Sequence, residues 1–207
     1  MLQDDVAKAI PLWVNGHAFL TVTPTFHEVR EPHSRAVLRC TPLCGGAEVE
    51  LSIAAAQAVL ASWSGMPEEA RVALLSAVGG LLATYSEHFA TLIVEESGKP
   101  LLAAVAEVDR SVALLQCAVA GKESGVVAVI GNRETPLLAS LQLAVPALAA
   151  GAAVVIRPNP ETPSALFALA ELTGRCGFPD GVFNIVHGDD AVVNALRRTS
   201  GVSLLIS

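Results

Sequence analysis

Charge is what this sequence has least of. Only 16% of its 207 residues are Asp, Glu, Lys or Arg, where about 25% is usual, and 52% are hydrophobic. Disordered chains show the reverse balance, so disorder is excluded and a buried core is expected. The length suits one or two modest domains that need no covalent staples. The net charge is −7, with a pI of about 5.2 and no Lys/Arg run. That argues against nucleic-acid binding. Cysteine is also scarce. Cys40, Cys44, Cys117 and Cys176 are too few and too scattered for a disulfide framework. Cys40 and Cys44 form a C-x3-C pair without further ligands at matching spacing, so no metal site is expected. The start, Met1 to Asp5, has neither the basic opening nor the apolar run of a signal peptide, which makes the cytoplasm the expected location. There are no internal repeats and no low-complexity linkers.

What the chain does have is alanine, 34 residues of it, which favours helices. Pro136 to Ile156 carries no charge and is long enough to span a membrane. Pro146 and Gly151 interrupt it, and its composition turns from Ala/Leu to Val-Val-Ile. A helix followed by a buried strand explains this, and no membrane partner is expected. Elsewhere, Leu12 to Phe19 reads as a hairpin turning at Asn15-Gly16. Val37 to Cys40 is a short strand. Helices are expected over Glu48–Ser62, Glu68–Val94 (with Gly79-Gly80 marking a kink) and Leu101–Ala120. After Gly125 the pattern alternates. Strands at Val126–Ile130, Ala153–Ile156, Val182–Val186 and Val202–Ile206 are separated by helices at Pro136–Ala150, from Thr162-Pro163 to Cys176, and at Asp190–Arg197. Thr162 is the expected N-cap, with Pro163 at the first helical position. The fold class is therefore α/β: a Rossmann-like parallel sheet preceded by a hairpin and helical segment. The boundary falls near Lys122–Gly125, giving residues 1–124 and 125–207.

Several stretches, taken in order, are similar to one known family. They are Trp13-Val14-Asn15-Gly16, Ala55-Ala56 to Trp63 with Pro67 and Arg71, Glu95 to Pro100, and Glu107-Val108. Pro146 to Gly151, Val154 to Pro158, Thr162-Pro163, Ala170-Glu171-Leu172 and Gly177 to Asn184 complete the set. The chain resembles the N-terminal, NAD(P)-binding half of the aldehyde dehydrogenase superfamily. The resemblance implies a cofactor crevice at Ile130, Gly131, Asn132, Arg157, Pro158 and Gly188.

The departures from that pattern bear on function. The family's first nucleotide-domain loop reads Pro-Trp-Asn-Phe-Pro, and its Asn helps hold an oxyanion. Here Gly131 to Pro136 puts Glu134 in that place. A carboxylate accepts hydrogen bonds and repels a developing negative charge. Losing one oxyanion donor already costs about 3–4 kcal/mol. The solvated-loop reading of Glu134 is the stronger one. The family's ribose-binding Lys and Glu are replaced by Arg157 and Pro160. Arg157 reads equally as a ribose or 2′-phosphate donor and as a surface residue at a strand end. The Gly-x-Gly-x-x-x-Gly motif keeps only Gly188. Asp189 and Asp190 are read as caps of the following helix. Cys176 is read as a packed turn residue and not as a nucleophile.

The family's oligomerisation hairpin would fall between the third helix and Val126, where only about Gly121 to Ser124 stand. Ser207 precedes the family's Thr-Gly-Ser step and its catalytic Cys and Glu. The expectation is a truncated, non-catalytic structural or interaction module with no catalytic residues of its own and weak or lost NAD or NADP binding. The alternative is an NAD(P)-binding component whose catalytic half lies on another chain, and a third reading is a remnant without function. From Thr135 to Ser207 only nine residues are charged. Such a surface predicts a homo-oligomer or a protein partner such as a full-length relative.

Overall fold

The computed structural model describes residues 8–23 and 25–207. Two short strands open it, β1 (Lys8–Ala9) and β2 (Leu12–Val14), and β3 (His17–Phe19) returns antiparallel to β2. The expected hairpin is present. Asn15 and Gly16 both take positive φ, 52° and 77°, as its tight turn requires. A second hairpin joins β4 (Phe26–Arg30) to β5 (Val37–Pro42), and β1 adds to β5 in a three-stranded sheet.

Four helices follow: α1 (Gly46–Ser64), α2 (Glu68–Thr84), α3 (Ser86–Ser97) and α4 (Leu101–Gln116). The single kinked helix expected over Glu68–Val94 is two helices, broken at Tyr85 and not at Gly79-Gly80. Both glycines stay helical. A Cβ on Gly79 would lie 3.0 Å from Gln116 and 3.1 Å from Leu115, so its missing side chain lets α2 approach α4 closely. The third helix ends at Gln116, short of Ala120. Beyond it the chain turns to α5, where Gly121 N–H donates to the Pro146 carbonyl at 2.9 Å.

The rest alternates strand and helix: β6 (Val126–Ile130), α5 (Leu138–Ala150), β7 (Ala153–Arg157), α6 (Ser164–Arg175), β8 (Phe183–Ile185), α7 (Asp190–Arg198) and β9 (Val202–Ile206). The four strands are parallel in the order β8-β7-β6-β9. The β2–β3 hairpin continues this sheet beyond β8 through the antiparallel pair Trp13–Ile185. One six-stranded sheet thus draws on residues from both sides of the Lys122–Gly125 segment. Central strands β6 and β7 are buried along their whole length, as their apolar runs require. β9 forms one edge, with Ile206 63% exposed.

Two polar anchors fix α1 and α2 to this sheet. The Trp63 indole N–H donates to the Ala152 carbonyl at 3.1 Å from a fully buried site. Arg71, also buried, gives its Nε–H to the Ala149 carbonyl at 2.9 Å and its Nη1 to carbonyls of Ser64 and Met66. A cation among the last carbonyls of α1 and α5 also complements both helix dipoles. The uncharged run from Pro136 to Ile156 is α5 plus β7. Among the described residues no helix is long and apolar enough to cross a membrane.

Candidate nucleotide crevice

A parallel sheet places its ligand groups on the loops beyond the carboxyl ends of its strands. Most of the sequence-derived residues meet there. Ile130 pairs with Arg157 across β6 and β7, and Gly131 N–H donates to the Arg157 carbonyl at 2.9 Å. The Arg157 Nε–H in turn donates to the Gly188 carbonyl at 2.9 Å. Pro158 follows directly in the chain. Asn132 turns onto its own loop, its Oδ1 accepting from Thr135 N–H at 2.9 Å. Gly188 has φ 146°, and a Cβ there would lie 2.4 Å from the Val192 side chain, so only glycine fits.

Arg157 is not the surface residue that one reading allowed. It is 7% exposed, and burial pushes its pKa down, while the Asp190 and Asp189 carboxylates act to raise it. Behind it lies His187, fully buried and pushed down to about 4. Burial is the main cause; the Pro11 carbonyl opposes it and the Arg157 charge adds to it. His187 is therefore neutral near pH 7, and its Nε2–H donates to Pro11 O at 2.9 Å. At the start of α7, the Asp189 carboxylate accepts from Ala191 N–H at 2.8 Å. Asp190 adds a second negative charge to the same turn.

The loop carrying Glu134 is held from below by residues to which sequence reasoning assigned no role. Lys99 Nζ donates to the Glu134 carbonyl and, at 2.5 Å, to Glu107 Oε2. The other Glu107 oxygen accepts from Leu137 N–H at 2.9 Å and Leu138 N–H at 3.2 Å. The signal was available: Glu107 stands on the same face of α4 as Ala104, Val108, Ser111 and Leu115, all buried. The Glu134 side chain itself is exposed.

The N-cap expectation at Thr162 needs correction. Its Oγ1 is buried without a partner, and α6 begins two residues later. The cap comes from Glu96, whose carboxylate takes the Ser164 N–H at 3.1 Å and its hydroxyl, and also pairs with Arg39 at 3.2 Å. Burial pushes Glu96 up to about 7 against the Ser164 and Arg39 contributions. Above the crevice, Arg133 and Glu161 form a half-exposed ion pair at 3.0 Å that joins the loops after β6 and β7.

None of the four cysteines forms a disulfide. Cys44 lies close to Gly188, but burial, with the Glu48 charge in second place, pushes its thiol up to about 12. Burial also raises Cys40 and Cys176. Among the described residues no group of His, Cys, Asp or Glu is arranged to hold a metal ion.

The model of the aldehyde dehydrogenase family matches residues 20–124 and 119–206. The chain belongs to the aldehyde dehydrogenase family. A malonate-semialdehyde dehydrogenase of Shouchella clausii is 30% identical over 91% of this chain and 43% of its own length. An Escherichia coli NADP-dependent enzyme of known structure has a TM-score of 0.89 and 28% identity, matching 100% of this chain and 48% of its own. A Pseudomonas syringae aldehyde dehydrogenase C mutant, solved with NAD+ and octanal, has a TM-score of 0.84 and 26% identity, matching 95% and 44%. The chain thus spans less than half the length of the relatives it matches. Within that span it reproduces their α/β fold.

Proposed function

We propose that these 207 residues form a non-catalytic, cytoplasmic aldehyde-dehydrogenase-like module with a degraded NAD(P) crevice, acting as a structural or interaction unit. The observation that carries the reading is the Asp189 carboxylate on the Ala191 N–H. A helix N-terminus welcomes a pyrophosphate because its N–H groups are free and its dipole is positive. At α7 a native carboxylate takes an N–H, and Asp190 adds repulsion. Arg157, which replaces the family's ribose-binding Lys, spends its Nε–H on Gly188. Pro160 offers no side-chain acceptor for a ribose hydroxyl. The residues present therefore do not fit a dinucleotide. Catalysis by the segment alone is disfavoured too, because the family's thiolate chemistry needs a depressed pKa and these thiols are raised or remote.

Calorimetric titration with NAD+ and NADP+ up to millimolar concentration tests this. The expected result is no saturable heat, with binding recovered in the quadruple variant Arg157→Lys, Pro160→Glu, Asp189→Ala, Asp190→Gly, which also releases the Ala191 N–H. Saturable binding by the unmodified chain would overturn the reading. It would favour the second one, an NAD(P)-binding component completed by a catalytic half on another chain. The NAD+-bound Pseudomonas syringae relative supports that alternative. The charge-poor second half, with β9 as an open edge, supports contact with a second copy or a full-length relative. Light scattering at tens of micromolar is expected to show self-association. A clean monomer that also fails to bind a full-length relative would refute the contact.

A further inference from the structure

A cavity of about 370 Å³ lies between the β4–β5 hairpin and the loops that follow β6 and β7. Arg30, Arg35 and Arg133 line it, together with Glu28, Glu161 and His27. Two of the three guanidiniums are answered. Arg30 pairs with Glu28, and Arg133 pairs with Glu161 at 3.0 Å. The Arg35 guanidinium has no acceptor among the described residues; only its backbone is used, its carbonyl accepting from Arg30 at 2.6 Å and its N–H donating to Glu31 at 3.0 Å. The cavity thus holds one more cation than it has anions. His27 adds an Nε2 that is buried without a hydrogen-bond partner.

The backbone points the same way. Arg35 has φ 63°, the left-handed region that L side chains with a Cβ avoid. The Glu31 carboxylate holds the turn by accepting from the His33 and Ser34 N–H groups. A glycine would sit at position 35 without strain, but the guanidinium would be lost. Strain of this kind persists where the surroundings enforce it, and it clusters at ligand-binding positions.

We propose that this cavity is an anion site for a small molecule bearing a phosphate or carboxylate group, with Arg35 as its principal ligand. A guanidinium fork matches either group bidentately. Arg133 is a second donor within reach, since an exposed ion pair such as Arg133–Glu161 is weak enough to rearrange. Its Arg133–Glu161 wall adjoins the Arg157–Gly188 crevice, but Arg35 lies outside that crevice, so the site does not depend on whether the crevice binds a nucleotide.

Calorimetric titration of the 207-residue chain at fixed ionic strength, with inorganic phosphate, acetate and a chloride control, tests the proposal. The expected result is saturable binding of phosphate or acetate that chloride does not reproduce, and the tighter of the two identifies the group. Arg35→Gln and Arg35→Gly should each weaken it by about tenfold or more. Arg35→Gly should also melt no lower than the parent, because it relieves the backbone. Absence of saturable binding in the parent, equal binding of chloride, or unchanged affinity in the folded variants would overturn the proposal.

Discussion

Two buried groups titrate in opposite senses, and together they should conceal each other. Glu96 is pushed up to about 7 from 4.5. The folded chain therefore keeps its proton longer than the unfolded chain does. The stability this contributes is complete below 4.5 and is lost as pH rises to about 7. His187 is pushed down to about 4 from 6.5. Its contribution is complete above 6.5 and is lost as pH falls to about 4. Each shift corresponds to about 3 kcal/mol. Between pH 4.5 and 6.5 the folded chain holds one extra proton at Glu96 and one fewer at His187, so the two slopes cancel. Urea denaturation at half-unit steps from pH 4.5 to 7.5 should give a nearly level stability for the parent. Glu96→Gln removes one slope, and its stability should fall by about 3 kcal/mol as the pH drops from 6.5 towards 4. His187→Gln, which keeps a donor for Pro11, should show the reverse: a loss of about 3 kcal/mol as the pH rises from 4.5 to 7. Glu31, held down to about 2, titrates below this window and leaves it undisturbed. A level profile in Glu96→Gln would refute the neutral buried imidazole. A level profile in His187→Gln would refute the protonated Glu96.

The Lys99–Glu107 pair should matter more for stability than any exposed ion pair. Glu107→Leu strands Lys99 and two buried N–H groups, so a loss of about 3–5 kcal/mol in urea denaturation is expected, with faster amide exchange at Leu137 and Leu138. Gly188→Ala drives a Cβ into Val192 at a φ glycine alone tolerates. It should lower stability by about 1–3 kcal/mol, with partial recovery when Val192→Ala is added.

The elements most legible in the sequence are those whose signal is local. β6 and β7 announced themselves as unbroken apolar runs, and the Asn15-Gly16 turn as a dipeptide with the right backbone preference. Errors appeared where the deciding contact is distant. Gly79-Gly80 looked like a kink from its own residues alone, yet both stay helical and Gly79 serves the close approach of α4. The cap of α6 illustrates the same limit. Thr162 had the right chemistry and the right place, but Glu96, 68 positions earlier, holds the Ser164 N–H. No window along the chain contains both partners.

The crevice was legible as a set of positions but not as a set of interactions, and the reason is electrostatic coupling. Taken singly, an Arg in place of Lys, a Pro in place of Glu and an Asp in place of Gly look like three independent losses. In the fold they answer one another. A buried guanidinium needs nearby negative charge, and Asp190 and Asp189 supply it. Those carboxylates in turn crowd the helix start that a phosphate would use, while the Nε–H they help to keep charged is held by Gly188. Pro160 removes an acidic acceptor that Arg157 no longer faces alone. Reverting Arg157 to Lys without Asp190→Gly should therefore leave the dinucleotide excluded. Asp190→Gly alone should leave Arg157 less compensated and still turned inward. Only the combined reversal, with Asp189→Ala to release the Ala191 N–H, frees the N–H groups, the cation and the acceptor together, so recovery of NAD(P) binding should be markedly non-additive across the four substitutions. Additive recovery would mean that the four positions act independently and would refute the coupling.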